Sequence, residues 1–381
     1  MLTDIDHKIR IAHIITRMDR GGAPDIVRLL AEKCDPLRFE VTLVYGLTRE
    51  PSDATRWLLA SLKDRTIMVP SLRRALNPFF DVCAFFSLYR ILKKGRFDLV
   101  HTHTAKAGVL GRITARLAGV RAVVHSPHGH DFYGYFGSFG SFWVVWVERW
   151  ASRFCDCIHV LTQLEKGDMV VRRICPAEKI RVIASGVSAP AQDAALRAPS
   201  ETSCVGFVGR FETVKGPEYF IEAAAEIAAK FPRVRFLMAG DGSLRADLEK
   251  QARRLGLGDK LTFAGWVEDV DTALRQIDIL VVASLNEGVG RVILEAAARG
   301  IPSVATRVGG IPEVVRDNET GILVASRDAK GLAGAVLRLL QDTAMYRRLQ
   351  EAGMRLVREE YSEGKMIAEF THLYNELKYE A

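Results

Sequence analysis

Short β-branched, apolar runs alternate with longer segments of helical apolar spacing along almost the whole chain, and that alternation leaves few folds open. In the first half the runs are Lys8–Ile15, Phe39–Tyr45, Thr66–Val69, Phe97–His101, Val120–His125, Cys157–Leu161 and Lys179–Ile183. In the second they are Cys204–Gly209, Val234–Ala239, Leu261–Phe263, Ile279–Val282, Ser303–Ala305 and Ile322–Val324. Strands that alternate with helices form a parallel sheet covered by those helices. Two such series predict an α/β chain of two doubly wound domains. Between them, Ala184–Ser203 loses the apolar period, gains Ala and Ser and carries Pro190 and Pro199, as a connecting segment does. The expected division is a first domain over 1–185, a linker over 186–203, a second domain over 204–360, and a C-terminal helix over 361–381 packing back on the first domain. Ligands of open parallel sheets bind beyond the carboxyl ends of the strands, so function is expected in strand-to-helix loops facing a central cleft.

The 381 residues, 48% of them apolar, are enough for two buried cores. No apolar run reaches the roughly 18 to 20 residues of a membrane-crossing helix, and residues 1–10 lack a signal peptide's apolar stretch, so a cytoplasmic protein is expected. Cys34, Cys83, Cys155, Cys157, Cys175 and Cys204 are scattered without zinc-type spacing, which predicts reduced core thiols. Lys and Arg outnumber Asp and Glu by 53 to 46, a charge that attracts phosphate donors, anionic lipid or nucleic acid alike. No nucleic-acid reading module accompanies it, so nucleic acid is not an expected partner.

The densest constellation is Ser284-Leu285-Asn286-Glu287-Gly288-Val289-Gly290, followed by a helical stretch from Arg291 that contains Glu295 and ends near Gly300-Ile301-Pro302. Glycines at a helix start let backbone amides approach a ligand, and the unpaired N–H groups there favour phosphate. Glu287 and Glu295 stand about 12 Å apart at ~1.5 Å rise per residue, too far for an acid/base pair but suited to gripping hydroxyls at two ends of a long ligand. A second loop, Gly206-Phe207-Val208-Gly209-Arg210-Phe211-Glu212-Thr213-Val214-Lys215-Gly216, offers two cations after a strand. Fixed cations there can hold an anionic ligand by electrostatic preorganisation. The glycine spacing is not that of a dinucleotide fingerprint. In the first half, Ser126-Pro127-His128-Gly129-His130-Asp131 puts an imidazole at a strand end, and Thr16 to Pro24 carries Gly21-Gly22.

Together these strings resemble retaining glycosyltransferases of family four. The resemblance covers nearly the whole chain and implies the GT-B fold, two Rossmann-like domains facing a central cleft. It implies that Glu287 contacts donor hexose hydroxyls, Glu295 the ribose hydroxyls, and the amides of Gly288, Val289 and Gly290 the diphosphate, with Arg210 and Lys215 neutralising it. His128 aligns with the family's donor-contacting histidine, although His125 and His130 fit under a small register change. Gly21 and Gly22 match the first glycine-rich loop, with Pro24 where the family commonly carries Glu. Ser185-Gly186-Val187-Ser188 stands where it often shows Asn-Gly-Val-Asp. The segment His101-Thr102-His103-Thr104-Ala105-Lys106-Ala107-Gly108 resembles the subset that makes bacterial surface polysaccharides.

The expected reaction is transfer of a hexose from a UDP- or GDP-linked donor to a hydroxyl of a polyprenyl-diphosphate-linked or other glycan acceptor. The anomeric configuration is retained by the front-face route that the resemblance implies. No cofactor and no metal are expected, the nucleotide diphosphate sugar being a substrate. Asp269-Val270-Asp271 has a spacing that binds manganese on another fold, but its place before an apolar helix reads better as a cap. Alternatives are a nucleotide-sugar epimerase on the same fold or a catalytically silent sugar- or lipid-binding scaffold. Aromatic residues crowd 132–150, and Arg73, Arg74, Lys93, Lys94 and Arg96 bracket Phe79, Phe80, Phe85 and Phe86. They fit either an anionic membrane surface or ordinary core packing.

Overall fold

The computed structural model describes residues 8–19, 21–128, 138–188, 197–200, 202–267 and 269–380. The first series of runs folds as β1 (Ile9–Ile15), α1 (Gly22–Lys33), β2 (Phe39–Tyr45), α2 (Asp53–Leu62), β3 (Thr66–Met68), α3 (Pro78–Gly95), β4 (Leu99–His103), α4 (Ala105–Ala118), β5 (Ala122–Ser126), α5 (Ser138–Ala151), β6 (Cys157–Val160), α6 (Gln163–Val171) and β7 (Ile180–Val182). The second folds as β8 (Cys204–Val208), α7 (Pro217–Lys230), β9 (Arg235–Ala239), α8 (Arg245–Arg254), β10 (Leu261–Gly265), α9 (Val270–Leu274), β11 (Ile279–Val282), α10 (Arg291–Ala298), β12 (Ser303–Thr306), α11 (Ile311–Val314), β13 (Gly321–Val324), α12 (Ala329–Gln341) and α13 (Thr343–Glu360). A last helix, α14 (Glu363–Glu380), closes the described chain. The strand read as Phe97–His101 runs two residues later, which brings His103 into the sheet.

The chain divides into two compact units, one of residues up to Ala184 together with those from Glu363, the other Ser185–Ser362. Each holds one all-parallel sheet, ordered β3-β2-β1-β4-β5-β6-β7 in the first unit and β10-β9-β8-β11-β12-β13 in the second. Strand order reverses beside β1 and again beside β8, and such reversals open the crevice where α/β sheets bind ligands. The loops after β1 and β4, and those after β8 and β11, are therefore placed to hold substrates.

Alternation along the strands sorts the first core into two faces. Ala12, Ile14, Val100, Val123 and Ile158 pack under α3, α4 and α5, while Ile11, Leu99, Val124 and Cys157 pack under α1 and α14. Helix α14 contributes Met366, Phe370, Leu373 and Tyr374 to that second face, so the chain's last helix is part of the first unit's core. On the other face, the fully buried Arg112 of α4 forks onto both carboxylate oxygens of Glu148 of α5, at 2.8 and 3.1 Å. Residues 186–188, read as linker, belong to the second unit: Val187 bridges to Ser362, and Arg291 bonds the Ser185 hydroxyl and the Gly186 carbonyl. Residues 189–196 and 201 of that stretch lie outside the described residues. Cys34, Cys155, Cys157 and Cys175 are free and buried, and burial pushes Cys34 and Cys157 up to about 12. No helix among the described residues is long and apolar enough to cross a membrane.

Candidate functional site

In the second unit the two loops singled out by sequence leave neighbouring strands, because β8 and β11 pair directly. They are laced to each other. Leu285 N donates to the Val214 carbonyl at 2.8 Å, and Gly216, at φ 58°, lies so close to the strand end that a Cβ would sit 2.3 Å from the Ala283 carbonyl oxygen. Across this seam the Lys215 ammonium donates to Glu287 Oε2 at 2.5 Å, and the buried Ser284 hydroxyl donates to the same oxygen at 2.9 Å. One carboxylate oxygen is thus held from two sides, and the Glu287 side chain is oriented before any ligand arrives. Beside it, Gly288 and Gly290 flank the buried Val289, and Gly290, at φ 69°, caps α10 with no side-chain partner for the helix's first amides. That is the arrangement in which orphan N–H groups donate to an anion.

Arg210 follows Gly209, half-exposed, with Glu212 3.5 Å away. Its guanidinium is available to an anion at little cost, since an exposed pair of this kind contributes at most about 1 kcal/mol. Glu295 lies in the second turn of α10, its Oε1 accepting from Arg291 Nε at 2.9 Å. Arg291 holds Glu295 while Lys215 and Ser284 hold Glu287, in keeping with two separate gripping points.

Two supports of this site are absent from the sequence reading. The Gly309-Gly310 turn after β12 cradles Glu287 from behind: Gly310 N donates to the Glu287 carbonyl at 3.1 Å, and a Cβ on Gly309, at φ 51°, would lie 1.8 Å from that oxygen. Gly240-Asp241-Gly242 after β9 fixes the Arg210 loop through the Asp241 carbonyl, which accepts from Phe211 N at 2.9 Å. Two glycines within five residues of each predicted strand end were the available signal for both.

Asp269 and Asp271 have structural roles. The Asp269 carboxylate accepts from Asp271 N at 2.9 Å and caps α9, while Asp271 pairs with Arg275 and Arg299. Burial alone would raise Asp271, but the two guanidiniums hold its carboxyl below the usual carboxylate value.

In the first unit Gly21 caps α1 without a side-chain partner and Gly22 opens it, after Thr16 has bonded Thr104 at 2.8 Å. Both glycines leave open space where a Cβ would stand. Gly129, His130 and Asp131 lie outside the described residues. His128, in a left-handed conformation at φ 61°, turns its ring inward, where its Nε2 meets His103 Nδ1 at 2.8 Å. His103 Nε2 in turn meets His13 Nδ1 at 2.9 Å. Burial pushes His128 and His13 down to about 3, and His103 well below its ordinary value, so all three rings are neutral near pH 7.

A second line runs beside the first, and its direction follows from its end. The Ile183 carbonyl can only accept, so His159 Nε2 carries the hydrogen of that 2.9 Å bond. Burial holds His159 at about 4 and therefore neutral, so its Nδ1 accepts from Ser126 Oγ at 2.7 Å. Ser126 then accepts from His101 Nε2 at 2.7 Å, and His101 Nδ1 accepts from the Tyr374 hydroxyl at 2.8 Å. Nitrogens of His13, His101 and His103 lie within 4.8 Å of one another, close enough to suggest a metal. His101 already uses both nitrogens on Ser126 and Tyr374, however, so the cluster is built as hydrogen-bond lines rather than as a ligand set. His125, on the opposite face, bonds Thr102 at 3.0 Å and packs against Gly108, where a Cβ would meet its ring at 2.3 Å; it is a packing histidine.

The aromatic segments divide by face. On α5, Val144 and Val145 pack on the core, whereas Phe142 is 62% exposed, Trp143 48%, Trp146 50% and Trp150 37%. On α3, Phe79 is 72% exposed and Phe86 54%, with Lys93 and Lys94 exposed at the helix end and the Arg73 guanidinium 3.8 Å from the Phe80 ring centre. Phe132, Tyr133, Tyr135 and Phe136 lie outside the described residues, as does the Phe139 side chain.

Residues 20–189 match the profile "Glycosyltransferase Family 4" and residues 188–355 the profile "Glycosyl transferases group 1". The chain is 31% identical over 351 residues to the UDP-Gal:alpha-D-GlcNAc-diphosphoundecaprenol alpha-1,3-galactosyltransferase of Escherichia coli, covering 89% of each. Among solved structures it is similar to Anabaena Alr3699/HepE in complex with UDP, with a TM-score of 0.78 at 22% identity over 97% of this chain and 100% of that one. Sucrose-phosphate synthase from Thermosynechococcus elongatus gives 0.80 at 24% identity, over 98% and 100%.

Proposed function

Since the chain belongs to glycosyltransferase family four, with two Rossmann-like domains of the GT-B fold, and is therefore a sugar-transferring enzyme, we propose that it moves a hexose from a UDP-linked donor to a hydroxyl of a polyprenyl-diphosphate-linked glycan in cell-surface polysaccharide synthesis. The observation that carries this reading is the seam between the loops after β8 and β11, where Lys215, Glu287 and the bare start of α10 converge. In it Arg210, Lys215 and the amides of Gly288, Val289 and Gly290 take the diphosphate, Glu295 the ribose, and Glu287 the hexose hydroxyls. Within the first unit, His128 and the Gly21-Gly22 helix start take sugar or phosphate oxygens. The E. coli relative's name supplies the donor and acceptor classes, and the UDP bound to the Anabaena protein supports the base.

Cations and amide dipoles supply the charge that a divalent metal would otherwise provide, so the reaction runs without one. Retention follows if the departing phosphate takes the acceptor's proton on the face it leaves, since Glu287 Oε2 is already held by Lys215 and Ser284 and is a poor nucleophile. The exposed rings of α3 and α5, with Lys93, Lys94, Arg73 and Arg74 nearby, seat the enzyme on the inner face of the cytoplasmic membrane where such an acceptor lies. Each basic residue near an anionic surface adds about 1 kcal/mol, screened by salt.

One assay tests these points together. With acceptor in vesicles, UDP-hexose is expected to turn over equally with and without EDTA, faster on anionic than on neutral vesicles at low salt, and the anionic advantage is expected to vanish when Arg73, Arg74, Lys93 and Lys94 become Glu. Loss of activity in EDTA restored by manganese contradicts the metal-free reading, preference for GDP-hexose contradicts the base, and equal rates on both vesicles contradict the docking. Conversion of the donor without any acceptor points to an epimerase instead.

A further inference from the structure

Three buried imidazoles stand in line from the interior of the first sheet to His128. His13 lies on β1 and His103 on the adjacent β4, and their side chains share the face covered by α14. A neutral imidazole carries a single hydrogen, so three rings joined at 2.9 and 2.8 Å must all point the same way. In one order His13 Nδ1–H donates to His103 Nε2 and His103 Nδ1–H to His128 Nε2, leaving a hydrogen on His128 Nδ1. In the reverse order the spare hydrogen sits on His13 Nε2. Both end atoms are buried and have no partner among the described residues.

The two ends are not equivalent. His13 is fully buried on β1, whereas His128, its Nδ1 also covered, lies in the strand-to-helix loop after β5, the part of an open parallel sheet where ligands bind. A buried N–H with no acceptor is rarer, and costlier, than a buried lone pair with no donor. The reverse order strands that N–H at the sealed end, where no ligand can reach it. The outward order leaves only a lone pair there and puts the N–H in the loop after β5, where a substrate oxygen that reaches the covered Nδ1 can accept it. The parallel line through His101, Ser126 and His159 cannot interfere, because the Ile183 carbonyl fixes its direction and it uses every nitrogen it has.

We propose that His103, backed by His13, is a positioning residue that sets His128 in the Nδ1–H form, so that His128 donates a hydrogen bond to a sugar or phosphate oxygen of the substrate. The proposal rests on the reading of His128 as a residue that touches substrate. It assigns His13 and His103 a role that neither position has in the site described above.

Nitrogen-15 spectra of histidine-labelled protein read the tautomers directly, with His128→Ala and His103→Asn giving the assignments. At neutral pH the hydrogen is expected on His128 Nδ1, with Nε2 bare; a hydrogen on Nε2 overturns the proposal. In transfer assays His103→Leu, which cannot donate, is expected to lower kcat about a hundredfold, the scale of losing one oriented donor, with KM little changed. His103→Asn, whose amide can stand in for Nδ1–H, is expected to recover most of that loss. A His103→Leu enzyme with wild-type kcat, or a His103→Asn enzyme as slow as His103→Leu, overturns the proposal. If His128→Ala itself turns over normally, the substrate role of His128 fails, while the tautomer assignment still stands or falls on the spectra.

Discussion

Replacing Lys215 with Ala is expected to lower turnover by about a hundredfold or more, with the fold intact, and Arg210→Ala to do the same through a different route. The magnitude is that of removing a fixed charge from the place where negative charge develops, in a site whose groups are already oriented. For Lys215 two losses coincide. The departing diphosphate loses a cation, and Glu287 loses the partner that holds its Oε2 at 2.5 Å, so only the Ser284 hydroxyl remains to orient it. Arg210 makes one loose contact, to Glu212, so its removal disturbs little else and reports on charge alone. Steady-state kinetics separate the two: Lys215→Ala is expected to weaken donor binding as well as kcat, whereas Arg210→Ala acts chiefly on kcat. Near-normal turnover in both variants contradicts the assigned site.

The second large effect is on stability. The first unit is expected to lose most of its stability as pH falls from 6.5 to about 5. His13 and His128 are held down to about 3 and His159 to about 4 by burial, against about 6.5 in the unfolded chain. Between those values the unfolded chain binds protons that the folded chain refuses, so stability rises with pH and falls on acidification. At pH 5 a histidine with a folded value near 3 costs about 2 kcal/mol. His101, His103 and His125 shift in the same direction through burial, with neighbouring imidazoles and, for His125, Arg112 adding to it. Several such terms approach the ~5 to 15 kcal/mol that holds a domain together. Four of the five tryptophans, Trp57, Trp143, Trp146 and Trp150, lie in this unit, so their fluorescence follows it, while Trp266 reports on the other. A midpoint of thermal unfolding that is the same at pH 5 as at pH 7.5 contradicts the neutral-histidine account.

Much of the fold was legible because parallel strands buried on both faces read as continuous β-branched runs, as Ile279–Val282 and Phe39–Tyr45 do. The Glu287 to Glu295 string was legible for a related reason: a strand end, a glycine turn and a helix start lie within a dozen residues, so local sequence carries the whole geometry. What sequence does not carry is which distant loops meet. Lys215 and Glu287 are 72 residues apart and pair only because β8 and β11 are neighbours where the strand order reverses. The histidine lines draw on β1, β4, β5, β6 and α14, and no single window contains more than two of their rings. The alternation His101-Thr102-His103 was a clue, since a period of two places both rings on one face. Nor did aromatic density on α5 decide between core and surface; that depended on Arg112 pairing with Glu148, which turns the Phe142, Trp143 and Trp146 side outward.

The second unit is expected to bind a nucleoside diphosphate through Arg210, Lys215 and the start of α10, without a metal, and thermal unfolding in EDTA with UDP, followed through Trp266 of that unit, reads this binding. Saturating UDP, at about a hundred times its dissociation constant, is expected to stabilise this unit by about 2.7 kcal/mol, and the stabilisation is expected to shrink sharply in Lys215→Ala. No stabilisation by UDP in EDTA, or the same stabilisation in Lys215→Ala as in the unaltered protein, contradicts it.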